Sequence, residues 1–167
     1  MSEMTSNSAL TSAPADIRYW LGIDAGGTKS LASLVDEHGH ELGRVTAGAG
    51  NLRIGVEAVE QLTLGIARQA LDQAGLPQDA VSTIGLGLGL AGLSRASQSR
   101  QLIANQWPFA RVTIASDAEI AHLGAHGGKD GAILIVGTGS IAYLKVDGKV
   151  DTMGGYGFPI SDEASGA

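Results

Sequence analysis

The chain has 167 residues and no cysteine. Within these residues that excludes a disulfide framework, a zinc–thiolate site and a cysteine-ligated iron–sulfur cluster. Positive charge is scarce, with 11 Lys and Arg against 17 Asp and Glu and a formal net charge of −6. No Lys/Arg-rich stripe is present, so neither nucleic acid nor an anionic membrane surface is an expected partner. A phosphate-bearing ligand would have to be held by backbone N–H groups, one or two lysines and a metal. No apolar run approaches the ~20 residues of a membrane span. The N-terminus lacks the charged start and apolar centre of a secretory signal, and a cytoplasmic location is the resulting expectation.

Apolar residues make up 44% and charged residues 17%, the balance of a globular chain with a real core. The 25 glycines fall largely in short clusters between apolar runs, where tight turns and close backbone approaches occur. Residues 1–16, rich in Ser, Thr and Ala without periodicity, read as a flexible leader. Ile17–Asp24, Lys29–Val35 and Glu41–Thr46 read as three strands of an antiparallel meander, joined at Ala25–Thr28 and Asp36–Gly39. A Gly-rich loop, Ala47–Arg53, follows. Val59, Leu62, Ile66 and Ala70 then lie three or four apart, on one face of a helix that Gly75 and Pro77 end. Glu57 and Glu60 near its start and Arg68 nearer its end would suit the helix dipole.

In Val81–Leu90, Ile84, Leu86, Leu88 and Leu90 alternate with Gly85, Gly87 and Gly89. Period two makes a strand, one face of which is nearly bare and open to a closely packed helix. Ser94 would cap a helix reaching about Asn105. Arg111–Ala115 is a short strand, and Ser116-Asp117 opens a helix closed by Gly127-Gly128. The expected fold class is therefore α/β, with the order β-β-β-α-β-α-β-α over residues 17–128. A second unit begins at residue 129. Ala132–Val136 reads as a buried strand, and Ile141–Val146 and Lys149–Met153 as a hairpin turned at Asp147-Gly148, with Ser161 capping a further helix. The chain ends before that unit has a core. The expectation is that residues 129–167 are only the beginning of a second domain, and that the stretch alone is inactive or nearly so.

Four segments carry chemistry. Asp24-Ala25-Gly26-Gly27-Thr28-Lys29 joins two strands. Its paired glycines let backbone N–H groups approach a phosphate, Thr28 adds a hydroxyl, Lys29 a charge, and Asp24 can hold Mg²⁺ directly or through water. An ordinary hairpin turn would use the same glycines. Gly137-Thr138-Gly139-Ser140 repeats the device after a second apolar strand. Asp117, where a strand gives way to a helix, can cap that helix, which would favour its ionised form, or serve as general base toward a hydroxyl. Asn51 sits in a small-residue loop, where it can meet a ligand or bond its own backbone.

From Ile17 onward the chain resembles the family that groups N-acetylglucosamine kinases with the activator ATPases of benzoyl-CoA reductase and hydroxyacyl-CoA dehydratase, within the actin/hexokinase-like superfamily. The resemblance rests on Asp24–Lys29, Asn51, Ser116-Asp117-Ala118, Gly137–Ser140, Gly154–Gly157 and Asp162–Ser165, in the family's order. It implies a ribonuclease-H-like (actin-like ATPase) domain plus the start of a second. It also implies ATP-dependent, Mg²⁺-assisted phosphorylation of an amino sugar, at the C6 hydroxyl, with Asp117 as base. Gly26, Gly27, Thr28, Lys29, Gly137, Thr138, Gly139 and Ser140 would meet nucleotide phosphates. Asn51, Asp117, Thr138, Tyr156, Gly157, Phe158 and Asp162 would meet the sugar. The adenine pocket would lie beyond these residues, and relatives of this kind are often homodimers. Kinases for N-acetylglucosamine read Trp-Gly-His where this chain has Tyr156-Gly157-Phe158, which brings glucosamine forward as a substrate. The activator branch would require a Cys near Ser161–Ser165, where none stands. A non-catalytic sugar or nucleotide sensor on the same fold would have no use for Asp117.

Overall fold

The computed structural model describes residues 16–91, 93, 96–136 and 140–154. The first three strands are β1 (Tyr19–Ala25), β2 (Ser30–Asp36) and β3 (Glu41–Ala47). They are followed by α1 (Val56–Gln73), β4 (Ile84–Leu90), α2 (Ala96–Ile103), β5 (Arg111–Ser116) and α3 (Asp117–His126). One sheet of five strands has the order β3-β2-β1-β4-β5. The meander β1–β2–β3 is antiparallel, whereas β4 runs parallel to β1 and β5 parallel to β4. This is the expected β-β-β-α-β-α-β-α order, with element ends moved by a residue or two. The main exception is residues 81–83, which belong to a 3₁₀ segment before β4.

Alternation decides the faces. Leu21, Ile23, Ala32, Leu34, Val45, Leu86 and Leu88 point into one core and meet Val59, Ile66, Ala70 and Leu71 of α1. Gly43 lets α1 lie close to β3, because a Cβ there would stand 2.9 Å from the Ala70 carbonyl oxygen. The C-terminal stop of α1 is as read, with Gly75 at φ +66°. No basic residue stands in its last turn, however, so Arg68 does not serve the dipole as expected. On the other face the glycine row of β4 is covered in part. The Trp20 ring fills the space above Gly85, and Ile120 of α3 fills that above Gly89. At Gly87, nothing among the described residues would touch an added Cβ.

A second sheet holds β6 (Gly131–Val136), β7 (Ser140–Val146) and β8 (Lys149–Gly154), all antiparallel. Its Asp147-Gly148 turn has positive φ at both residues, 49° and 73°, as a tight two-residue hairpin requires. One face packs on α3, where Tyr143 lies 5.1 Å from the buried His122 ring. The other is open among the described residues, with Leu134 71% and Val136 57% exposed. Ala132–Val136 is a strand as read, and its residues alternate between the α3 side and the side that no described residue covers. Among the described residues no helix is long and apolar enough to cross a membrane.

Candidate active site at the ends of the parallel strands

The three parallel strands end in register: Ala25 of β1 is level with Leu90 of β4, and Leu90 with Ser116 of β5. The segments that follow them therefore start from one edge of the sheet, where ligands of open α/β sheets bind. Asp24 and the loop to Lys29 leave β1 there, and Asp117 follows β5 directly. The 47–51 loop joins them from β3. Its Gly50 N–H donates to the Gly26 carbonyl at 3.0 Å, and the Ala91 N–H after β4 donates to the Ala25 carbonyl at 3.2 Å.

The 26–29 loop is closed by the Gly26 N–H donating to the Lys29 carbonyl at 3.1 Å. Neither Gly26 nor Gly27 has positive φ. Gly26 is needed for space instead, since a Cβ would lie 2.9 Å from the Lys29 carbonyl oxygen. Gly27, Thr28 and Lys29 are exposed at the sheet edge. Asn51 bridges the neighbouring loop to this one. Its Oδ1 accepts from the Arg53 N–H at 2.9 Å, and its Nδ2 donates to the Gly27 carbonyl at 3.4 Å.

Asp117 is half-buried at the first position of α3 and is not the cap. Ser116 caps the helix, its hydroxyl accepting from the Glu119 N–H at 3.1 Å. Asp117 Oδ1 accepts from the Ala118 N–H at 2.8 Å. The expectation that this carboxylate favours its ionised form is overturned. Loss of water by burial, reinforced by the neighbouring Asp24 charge, holds its pKa above the ordinary carboxylate value despite the backbone hydrogen bonds. Such a shift moves a carboxylate toward the range in which it can exchange protons near neutral pH.

Asp24, Gly26–Lys29, Asn51 and Asp117 are thus brought together at one sheet edge. Ser140 begins β7, level with Val136, while Gly137, Thr138, Gly139, Tyr156, Gly157, Phe158 and Asp162 lie outside the described residues, as do Ser94 and Ser161. Sequence reading missed Ser116 as the cap. It also missed Ser30 and Gly50, which fix the 47–51 loop. A depression of about 450 Å³ opens on the α3 side of the sheet over Gly22, Leu31 and Gly87. Asp24 reaches its wall, but Lys29, Asn51 and Asp117 do not.

A five-stranded sheet of this order, with a glycine loop after β1 and a carboxylate after β5, places the chain among the actin-like α/β proteins. The profile of the BadF/BadG/BcrA/BcrD ATPase family matches residues 21–167, and the chain belongs to that family. It is 39% identical over 151 residues to the glucosamine kinase GspK of Vibrio cholerae serotype O1, a match over 90% of this chain and 51% of that protein. It is 30% identical over 155 residues to the N-acetylmuramic acid/N-acetylglucosamine kinase of Clostridium acetobutylicum, covering 90% of this chain and 50% of the relative. Among solved structures, a Chromobacterium violaceum protein described as a candidate N-acetylglucosamine kinase superposes with a TM-score of 0.84 at 38% identity, over 90% of this chain and 53% of its own. The chain spans about half the length of the curated relatives it matches.

Proposed function

We propose that the protein carrying this chain is an ATP-dependent kinase of an amino sugar, glucosamine or N-acetylglucosamine, acting on the C6 hydroxyl. The observation that carries the reading is the half-buried Asp117 carboxylate beside Asp24, on the sheet edge that also holds the 26–29 loop and Asn51. In its ionised form Asp117 takes the proton of the attacking hydroxyl. The oxygen bonds to the γ-phosphorus as the bond to ADP breaks. The exposed turn Gly27–Lys29, with the Lys29 ammonium, would meet the phosphates. Asn51 offers its amide to a sugar hydroxyl. Asp24, an exposed carboxylate at the end of β1, is the residue that would hold Mg²⁺ through water, and the ion would offset phosphate charge. Thr138, Gly139 and Ser140 would complete the phosphate side. Tyr156, Gly157, Phe158 and Asp162 would form the wall around the sugar's 2-position and anomeric end. Residues 17–128 are proposed as one domain and 129–167 as the beginning of another. A cytoplasmic location accords with this chemistry, because ATP is the phosphate donor.

ADP release by the complete protein, with Mg²⁺ and ATP, is the test, run with glucosamine, N-acetylglucosamine, glucose and no sugar. Release that depends on one of the amino sugars is the expected result. Equal release with and without every sugar would sink the proposal and favour an ATPase or sensor on the same fold.

A further inference from the structure

Ser30 is the most deeply buried polar residue near the site, with no exposed surface, and no step of the proposed chemistry uses it. It occupies the first position of β2, paired with Ala25 on one side and Ala47 on the other. A buried hydroxyl requires a partner, and here it donates to the Gly48 carbonyl at 2.9 Å. That bond reaches from the root of the 26–29 loop into the middle of the 47–51 loop. Gly50 then folds back over Ser30. A Cβ at Gly50 would lie 2.6 Å from the Ser30 hydroxyl, 2.8 Å from Ala25 Cβ and 2.8 Å from Leu62 Cδ2. With its side chain reduced to hydrogen, Gly50 comes close enough for its N–H to bond the Gly26 carbonyl at 3.0 Å. Asn51 is the next residue, its amide set on the Gly27 carbonyl.

From this geometry we infer that Ser30 and Gly50 form a latch that positions Asn51 for the sugar while leaving the phosphate loop unaffected. The inference rests on the kinase reading above. The asymmetry follows from what else holds each loop. The 26–29 loop is closed by its own Gly26–Lys29 hydrogen bond and by the β1–β2 ladder up to Ala25–Ser30. Beyond Ala47, where the β2–β3 ladder ends, the 47–51 loop is tied to the 26–29 region by the Ser30–Gly48, Gly50–Gly26 and Asn51–Gly27 bonds. Removing the Ser30 hydroxyl takes away one of these three ties on the loop that carries Asn51 and none of those that close the 26–29 loop.

The test is steady-state kinetics of the complete protein bearing Ser30→Ala, Asn51→Ala and both, with Gly50→Ala as a second way to break the latch. Thermal unfolding checks that each variant is folded. Ser30→Ala is expected to raise the sugar KM about fivefold, the factor one net hydrogen bond contributes, with the ATP KM unchanged. Gly50→Ala is expected to shift the same constant in the same direction. In the Asn51→Ala background, Ser30→Ala should add less than about twofold, because a residue acting through another has nothing left to act on. Additive effects, or a fall in kcat with both KM values unmoved, would assign Ser30 a merely structural role and overturn the inference. A wild-type protein that shows no sugar-dependent turnover would overturn the kinase reading and the latch together, an outcome distinct from both.

Discussion

Asp117→Asn is expected to lower sugar-dependent ADP release by about 10²–10⁴-fold, the range that a positioned general base contributes, with little change in the KM for ATP. The amide keeps the Oδ1 that accepts from Ala118 and nearly the shape of the carboxylate, but it cannot take a proton. The pH profile of the native enzyme carries the same signature. The working base is the ionised form, and burial together with Asp24 holds its pKa above the ordinary carboxylate value. The acid limb of kcat/KM should therefore begin at a higher pH than an unperturbed carboxylate would give. The stability sign is opposite. A carboxylate whose folded-state pKa is raised favours folding while protonated, and that contribution is lost as pH rises through the folded-state value. At neutral pH the native protein thus bears a penalty that Asp117→Asn removes. The variant should unfold at a higher temperature than the wild type near pH 7 and show less advantage at low pH. A variant that is both inactive and less stable at pH 7 would contradict this description of the site.

Leu88→Ala should cost about 2–5 kcal/mol of unfolding free energy, the range for deleting a fully buried leucine side chain, whereas Gly87→Ala, one residue away, should change it by less than about 1 kcal/mol. The two residues lie on opposite faces of β4. Leu88 is 1% exposed within the core beneath α1. An alanine methyl at Gly87 would meet nothing within 4 Å among the described residues. Urea unfolding midpoints measured on the complete protein decide the matter. Comparable losses from both substitutions would mean that the glycine face of β4 is covered as closely as the leucine face.

Much of this architecture was legible in the residues. The three-strand meander is punctuated by Gly-Gly and by Asp36–Gly39, and the shift from period two to a helical period after Arg53 marks α1. The inward alternation of Ile84, Leu86, Leu88 and Leu90 held, because one apolar face and one bare face leave a strand little choice of orientation. Ala132–Val136 was legible as a strand, but not in the facing of its residues. Five apolar residues in a row carry no alternation, so sequence alone does not reveal that Leu134 and Val136 face away from α3. At the site, local sequence left Asp24, Asn51 and Asp117 open between turn, loop or cap and ligand contact, and the family resemblance singled them out. Local sequence did not reveal that burial beside Asp24 raises the Asp117 pKa, because that effect requires β1 and β5, distant in sequence, to end on one edge of the sheet. Ser116 was overlooked as the cap because an adjacent Asp is an equally good one on composition. Ser30 was half legible. Its spacing from Ala32 and Leu34 places it on the buried face of β2, but its Gly48 partner belongs to a loop with no periodicity to betray its position.

Helix α3 touches both sheets. Its first turn holds Asp117 against the ends of the first sheet, and seen from there it is a rod of 10 residues, about 15 Å long. Farther along, His122 and His126 pack 4.9 Å apart, His122 lies against Tyr143 of β7, and Gly127 follows in the left-handed conformation. A short α-helix bends little, so a tilt imposed by the second sheet at its far end is delivered largely intact to the carboxylate at its near end. Ile120 seated over Gly89 holds the helix between its two ends, so α3 is a strut that joins the Asp117 end of the first sheet to the Tyr143 side of the second.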